Sequence, residues 1–564
     1  MKNATFRKLL AILLSVVMLA GMLAGCGAKT PESEATEPKS EAATPTVNPE
    51  SGKPVLKVAI RPDPNVTSYE DNYMTRWLEE QLDCELEITL LPTDLEDCVT
   101  KISLMASDPN AEKPDIICGE AIFDKLGKQL GDAGYLLDWG KYRNDPNLMP
   151  NFCALPDDVK ASVESEMMEA DGAIYDVPQY NYNFWNLSCF RYFINEKWVK
   201  DLNMEIPTTT EELKKVLIAF KNSDPNGNGK PDEIPLTGIA GHDTYGRNTL
   251  YQLMNSFIFF NGFAQNNGLS LAEDGKTIIA PFATEEWREG LRYMNELYTA
   301  EILSPTFFTN TDDTLNAMLN SEDNVVGLFC SGTLSGWSNR GTNPNYLEME
   351  LIAPFAGPKG ANYSLQTTNV CLSFGAIVDT PNYELSLKFM DLLYTKEATL
   401  VAEYGEEGVD WSRDPADLAG CGSKFVEAGI VDSVGVLKIF DTWSEPQNKT
   451  WQNVTPAYYD KEFIYLEGSA DYVPGDPTDL KVENMTLNDV KYPYMLANLH
   501  YSVEDTEAIA EAVALIPDYV DQSMADFITG AKSLDSDWDA YINEMNAMGL
   551  DNWLSIAQAT YDAQ

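Results

Sequence analysis

Residues 55–119 alternate strand, helix, strand, helix, strand, at a spacing that leaves few folds open. Val55 to Ile60 is a short β-branched run. Asp71 to Leu82 sets Met74, Trp77, Leu78 and Leu82 at helical intervals. Cys84 to Leu91 alternates as a second strand, Leu95 to Met105 returns to the helical period, and Pro114 to Gly119 reads as a third strand. Neighbouring parallel strands need a long crossover between them, and a helix is the usual one. The pattern therefore predicts an open, parallel α/β sheet. Such sheets hold their ligands beyond the carboxyl ends of the strands.

The rest of the chain supplies a second body. The 564 residues are enough for two domains or one two-lobed protein, and 44% hydrophobic content is enough to fill their cores. Ala173 to Tyr180 and Val370 to Val378 read as extended crossings. Between them, Arg191 to Trp198 runs from strand into helix, and Thr208 to Leu213 carries the capping threonines and first-turn glutamates of a helix start. That helix continues to Phe220. Trp287 to Tyr298 is an amphipathic helix, and Val325 to Cys330 a buried strand. Helices are expected at Tyr383 to Tyr394 and, near the end, at Asp537 to Leu550.

The loop from Asp224 to Glu233 is a second strong constraint. Oxygen-bearing side chains alternate at Asp224, Asn226 and Asn228, and Gly229, Asp232 and Glu233 follow. A tight turn of this spacing wraps hard oxygen ligands around a calcium ion. Lys230 would contribute its carbonyl oxygen, with its side chain in solvent. The twelfth position, where an EF-hand loop places a bidentate Glu, is Pro235, so Glu233 is expected to take that part. Three carboxylates within ten residues repel one another unless a cation joins them. The alternative is an Asn/Gly/Pro turn that binds nothing.

The first residues read as an address. Lys2, Arg7 and Lys8 precede an apolar run from Leu9 to Ala20, and Leu23-Ala24-Gly25-Cys26 forms a lipobox. Residues 1–25 are thus expected to be a lipoprotein signal peptide and Cys26 the lipidated residue. The apolar run is short for a membrane span. Residues 26–54, rich in Ala, Thr, Pro, Ser and Glu, read as a disordered tether. The expected location is the extracellular face of the cell membrane, on a Gram-positive surface, held there by lipid alone.

Composition removes several functions. A formal charge of −49 repels nucleic acid and anionic membranes. No cysteine pair has CxxC spacing, which argues against zinc and thioredoxin chemistry. Cys118, Cys330 and Cys371 sit in apolar strand-like runs and read as buried thiols. His242 and His500 are the only histidines. GxSxG, HExxH and P-loop motifs are missing, and no catalytic residue is expected.

The order of these pieces resembles the extracellular solute-binding proteins of ABC sugar importers, family 1 type. Ile174-Tyr175-Asp176-Val177-Pro178 resembles the family's first hinge crossing, and Leu372 to Ile377 the return crossing, followed by Pro381-Asn382. The Trp198…Pro207-Thr208-Thr209 helix entry resembles the family's, as do Tyr404 to Trp411 and Phe527-Ile528-Thr529-Gly530…Trp538 to Tyr541. The resemblance implies a two-lobed, type II periplasmic-binding-protein fold with hinge strands. Residues 55–178 and about 371–425 would form the first lobe; residues 179–370 and about 426–564 would form the second. Asp224 to Glu233 resembles the calcium loop of the alginate-oligosaccharide-binding members. That implies Asp224, Asn226, Asn228, Lys230, Asp232 and Glu233 as ligands of a structural Ca2+ remote from the sugar.

The implied function is a substrate-binding protein that takes an oligosaccharide between its lobes and passes it to a permease, as a monomer. Sugar rings offer apolar faces to aromatic platforms and hydroxyl rims to planar polar side chains. Tyr180, Tyr182 and Trp185 follow the first crossing among Asn181, Asn183 and Asn186; Trp337 lies in a polar, glycine-rich loop. With Tyr404, Trp411 and Trp443 they are the candidate sugar contacts, and each has packing as its alternative. Arg191 and Arg340 are candidates for an acidic sugar, or else for a surface or lobe–lobe ion pair. The rivals are a carbohydrate-active enzyme and a sensor or adhesin ectodomain. Glu406-Glu407 is a carboxylate pair, but catalytic pairs sit on separate elements across a scissile bond.

Overall fold

The structure is a computed structural model. It describes residues 47–123, 126–181, 190–241, 246–263, 265–332, 348–365, 370–418, 435–439, 446–452, 454–459, 463–467 and 492–564. In chain order the elements used below are β1 (Val55–Ile60), α1 (Tyr73–Leu82), β2 (Glu85–Leu90), α2 (Leu95–Ser107), β3 (Ile116–Cys118), α3 (Asp157–Met167), β4 (Asp176–Asn181), β5 (Arg191–Asn195) and α4 (Thr210–Asn222). There follow β6 (Ile234–Leu236), α5 (Thr249–Met254), β7 (Ser270–Leu271), β8 (Ile278–Ile279), α6 (Glu285–Thr299), β9 (Val326–Ser331), β10 (Met349–Ile352) and β11 (Val370–Ile377). The last are α7 (Tyr383–Leu393), α8 (Lys396–Tyr404), β12 (Trp411–Ser412), β13 (Gly435–Ile439), β14 (Tyr458–Tyr459), β15 (Phe463–Glu467), α9 (Val503–Thr529), α10 (Trp538–Ala547) and α11 (Leu550–Ala563).

The alternation at the start of the chain builds the sheet it predicts. Six strands run in the order β14-β4-β11-β3-β1-β2. β1 is parallel to both β2 and β3, and β14 is parallel to β4. β11 alone runs the other way, antiparallel to β3 and β4. Its core gathers Leu56, Val58 and Ile60 with Met74 and Leu78 of α1, and with Leu387, Phe389 and Met390 of α7. Asn72 caps α1 by accepting from the Met74 nitrogen, and its amide reaches Thr450 O. Asp94 caps α2 through the Asp97 nitrogen. These caps satisfy donors that a helix start otherwise leaves open.

The second sheet has four strands in the order β10-β5-β9-β6. β5 pairs antiparallel with β10 and β9, and β6 pairs parallel with β9. Its core is larger. Trp198, Phe220, Leu236, Trp287 and Leu291 pack there with Phe527, Trp538, Tyr541 and Trp553 from the chain's last third. Gly327 lets α4 approach β9: a Cβ there would stand 2.6 Å from the Phe220 ring and 2.9 Å from Pro235 O.

Several expectations are corrected. The tether does not stay extended to residue 54. Val47 bridges Pro54, Gly52 N donates to Asn48 O at 2.8 Å, and the Asn48 amide reaches Glu85 at the start of β2. A turn thus closes over the sheet edge. Not everything after about residue 425 joins the second sheet, because β14 adds to the first and Trp451 packs in its core. The single closing helix is two, α10 and α11, parted at Gly549 with φ 101°. Sequence reading missed the 27-residue α9; it is capped by Ser502 through the Asp505 nitrogen and ends at Gly530. Cys118 and Cys330 are fully buried thiols as expected. The Cys371 side chain lies outside the described residues.

Candidate functional site

The strand directions fix where a ligand can sit. Five strands of the first sheet end on the same side, at Ile60, Leu90, Cys118, Asn181 and Tyr459. β11 begins on that side, with Val370 opposite Tyr180. In the second sheet Arg191 opens β5 opposite Ser331 at the end of β9, and Ile352 ends β10 opposite Tyr192. The chain thus passes from the carboxyl end of β4 to β5, and from the carboxyl end of β10 back to β11. Both crossings leave the strand ends at which open α/β sheets bind ligands.

Arg61 marks the switch point, where β1 is flanked by β2 on one side and β3 on the other. Its Nε donates to Thr93 O at 2.9 Å, beyond β2, and its Nη1 to Glu120 O at 3.2 Å, beyond β3. One guanidinium ties both loops. Glu120 itself is exposed, between Gly119 at φ 149° and Ala121 at φ 59°. Ala121 is in the left-handed region that a Cβ disfavours, a strain that clusters at ligand sites. Asp63 sits just past Arg61, with its nitrogen bonded to the Tyr69 hydroxyl at 2.8 Å. Glu403, at the end of α8, has its carboxyl pushed up to about 7, first by burial and then by the Asp63 charge, against a hydrogen bond from Tyr459. Sequence reading missed Arg61, Asp63, Glu120 and Glu403. The available signal for Arg61, Asp63 and Glu120 was their position just after strand ends; Glu403 lies on helix α8 and carried no such signal.

The sequence-expected sugar contacts divide. Tyr180 is 3% exposed and packs against Tyr458, with ring centroids 5.7 Å apart. Tyr404 and Trp411 are buried in one small cluster with Leu400, Ala457 and Tyr459. Trp411 donates through Nε1 to Gly405 O at 3.0 Å, and the Arg413 guanidinium lies 5.0 Å over its ring. These two rings are packing groups here, not open platforms, because the charged loop folds its tryptophan inward. Arg191 is not a surface pair; it is fully buried at the start of β5 and donates to Gly332 O. Tyr182, Trp185, Trp337, Arg340 and Trp443 lie outside the described residues. Of the carboxylate pair, Glu407 is held by Arg413 at 2.6 Å in a solvated cluster with Glu397.

The loop of residues 224–233 joins α4 to β6. Gly227 and Gly229 both take positive φ, 72° and 77°. Asp224 accepts from the Asn228 nitrogen at 3.1 Å and the Gly229 nitrogen at 2.9 Å. Asn228 Oδ1 accepts from the Lys230 nitrogen at 2.7 Å. The Asn226 and Asn228 amides turn their nitrogens to Asp232, at 3.2 Å and 3.0 Å. Rotating those amides exchanges donor for acceptor at little steric cost. Lys230 points outward to Asp323 at 2.6 Å. Both Glu233 carboxylate oxygens are buried with no hydrogen-bond partner. Burial, then the charges of Asp232 and Asp224, push its pKa up. Among the described residues no three acidic, histidine or cysteine side chains converge on a metal-sized cage. A site here depends on the asparagines and the Lys230 carbonyl as well. With that set, the two orphaned Glu233 oxygens fit a bidentate contact to a hard cation.

No family profile matches the chain. It is 25% identical over 440 residues to the fructooligosaccharide ABC transporter substrate-binding protein FusA of Streptococcus pneumoniae, covering 73% of this chain and 74% of that one. It is 23% identical over 537 residues to the polygalacturonan/rhamnogalacturonan-binding protein YtcQ of Bacillus subtilis, covering 93% of each. Among solved structures, FusA in complex with kestose superposes with a TM-score of 0.67 at 22% identity, over 90% of this chain and 99% of that one. An extracellular solute-binding protein from Bifidobacterium longum subsp. infantis gives 0.73 at 18% identity, over 92% and 99%.

Proposed function

We propose that this chain, an extracellular solute-binding protein of the family that serves ABC sugar importers, holds an oligosaccharide between its two sheets and delivers it intact to a permease. The observation that carries this reading is the meeting of both crossings with the strand ends that carry Arg61, Asp63 and Glu120. Carboxylate, guanidinium and amide groups there can take hydroxyls. Tyr182, Trp185, Trp337 and Trp443, adjacent in sequence to the crossings or in polar loops, are proposed to supply ring faces. Relatives that bind fructooligosaccharides and polygalacturonan support the carbohydrate class without choosing a sugar.

The first lobe is proposed to comprise residues 55–181, 370–418 and 446–459, and the second residues 190–365 and 492–564. A ligand touching both lobes stabilises the closed form by its extra contacts, and the closed form is what a permease would recognise. Cys26 would carry the lipid that keeps the protein at the outer face of the membrane, with residues 27–46 as the tether. No bond is made or broken in this cycle. A calcium ion held by Asp224, Asn226, Asn228, the Lys230 carbonyl, Asp232 and Glu233 would neutralise that loop and fix its turn.

A thermal-shift and calorimetric screen of the mature protein against mono- to tetrasaccharides, neutral and acidic, tests the reading. Saturable binding with product recovered intact supports it. Cleavage of the glycan, or binding of peptides in place of sugars, removes it.

A further inference from the structure

An anionic sugar needs a counter-charge where it is buried. Proteins supply one in two usual ways, a guanidinium with a free fork or the open N-terminus of a helix. Among the described residues around the strand ends, both are taken. Arg61 spends Nε and Nη1 on Thr93 O and Glu120 O. Arg191, fully buried where β5 begins, donates to Gly332 O. Arg247, whose carbonyl accepts from the Ile239 nitrogen just past β6, pairs through its guanidinium with Asp312. Lys449 O accepts from the Met74 nitrogen at the start of α1, and its ammonium stands 2.8 Å from buried Asp410.

The helices that start from these strand ends are closed to an anion as well. The first nitrogens of α1 donate to Asn448 O at 3.2 Å and to Lys449 O at 3.1 Å. α2 has Asp94 as its cap and Glu96 and Asp97 in its first turn, so its positive end already faces three carboxylates. Asp63 follows β1, and Glu120 follows β3. Glu403 reports the local field. Burial and then the Asp63 charge raise its carboxyl to about 7, opposed by a hydrogen bond from Tyr459 and not by a cation. In the sequence of the two crossings, residues 182–189 and 366–369 contain no charged side chain, and residues 333–347 contain Arg340 alone.

We propose that the oligosaccharide of the strand-end site is neutral, and that Asp63 and Glu120 exclude uronic-acid chains from it. A sugar hydroxyl donates to a carboxylate in a charge-assisted hydrogen bond. A sugar carboxylate has no proton to donate, and it meets like charge as water is excluded. This inference rests on the carbohydrate-binding reading and narrows it to one charge class.

Calorimetry on the mature protein tests it, with neutral and uronic-acid ladders from disaccharide to hexasaccharide, matched in linkage and length, at low and at physiological salt. Neutral chains are expected to bind about tenfold tighter or more, the low end of what like charges cost across an interface. The ratio is expected to shrink as salt rises, because screening weakens the repulsion. Glu120→Lys reverses a charge at an exposed position and is expected to narrow the ratio about threefold. Asp63→Asn is expected to act in the same direction while keeping an acceptor for the Asn65 nitrogen. A ratio that neither substitution moves removes the two carboxylates as its cause and overturns the proposal. Uronic chains that bind as tightly as neutral ones, or tighter, overturn it while the oligosaccharide reading stands. Uronic binding that Arg340→Ala abolishes overturns it in the same way and assigns the acid to that arginine. If no saccharide of either class binds, the oligosaccharide reading falls with it.

Discussion

The carboxylate of Glu166 accepts a hydrogen bond at 3.0 Å from the backbone nitrogen of Asn498, 332 residues further along the chain. Glu166 is 5% exposed on α3, which packs over β4 of the first sheet. Asn498 belongs to a segment fastened to the second half: the Asn266 side chain donates to Ala497 O at 3.0 Å and accepts from the Leu499 nitrogen at 3.0 Å. His500, beside it, bonds the backbone at Ser165 and Glu166, while burial lowers its imidazole pKa. The two halves are thus joined here as well as through the strand crossings.

A joint that serves as a pivot keeps its contacts through opening and closing. Glu166→Ala strips a buried acceptor and leaves a donor unpaired, which costs about 1–3 kcal/mol. The expected result is a lower denaturation midpoint with ligand affinity changed by less than threefold. Both are read from a urea melt and a titration calorimeter. A large change in affinity with unchanged stability would show that the contact exists in only one of the two states.

The loop of residues 224–233 makes a separate prediction. Calcium at about a hundred times its Kd should add about 2.7 kcal/mol to stability, and chelation should remove it. Glu233→Gln deletes a charge and one of the two orphaned oxygens. It should abolish the calcium-dependent part of the melting shift while leaving the calcium-free protein as stable as wild type, or more so. Differential scanning calorimetry with and without chelator reads both outcomes.

Glu403 sets a pH dependence whose sign follows from proton counting. Its carboxyl titrates near 7 in the folded protein, against 4.5 when unperturbed. Between those values the folded state holds a proton that the unfolded chain has lost. The contribution of this group is therefore complete at the acid end, falls as pH rises toward 7, and is flat above. Glu403→Gln stays neutral throughout. Its stability relative to wild type should rise across that window by on the order of 3 kcal/mol. Comparing the two proteins at each pH cancels the opposite effect of His500, whose lowered pKa costs stability as pH falls.

Arg61 offers the direct test of the strand-end site. Arg61→Ala frees the loops after β2 and β3 together, since Thr93 O and Glu120 O lose a shared donor. Binding should weaken about tenfold or more, since hydrogen bonds to a charged group contribute about 1.5–3 kcal/mol. Arg61→Lys should recover only part, because an ammonium cannot span the two carbonyls with a planar fork. Calorimetry on the best saccharide gives both numbers.

What the chain disclosed before folding was its periodic parts. The first sheet was legible because hydrophobic alternation switches cleanly between strand and helix from Val55 to Cys118. The turn of residues 224–233 was legible because its Asn, Asp and Gly residues are contiguous. The strand-end site was not, since Arg61 reaches the Thr93 and Glu120 carbonyls, and Glu403 feels the Asp63 charge, only after separate elements fold. Trp411 misled for a local reason: a charged sequence around a tryptophan says nothing about which way the ring turns, and the Gly405 carbonyl draws it inward. The 27-residue α9 was missed because Pro517 interrupts its pattern without ending it.

The close approach of Gly327 on β9 to both the Phe220 ring of α4 and the Pro235 carbonyl of β6 has an engineering consequence. The ten residues from Asp224 to Glu233 act as a spacer of fixed count. Adding or deleting one would slide β6 by a single step along β9 and swing Leu236 from the interior to the opposite face. Redesign there can change which side chains are present, but not how many.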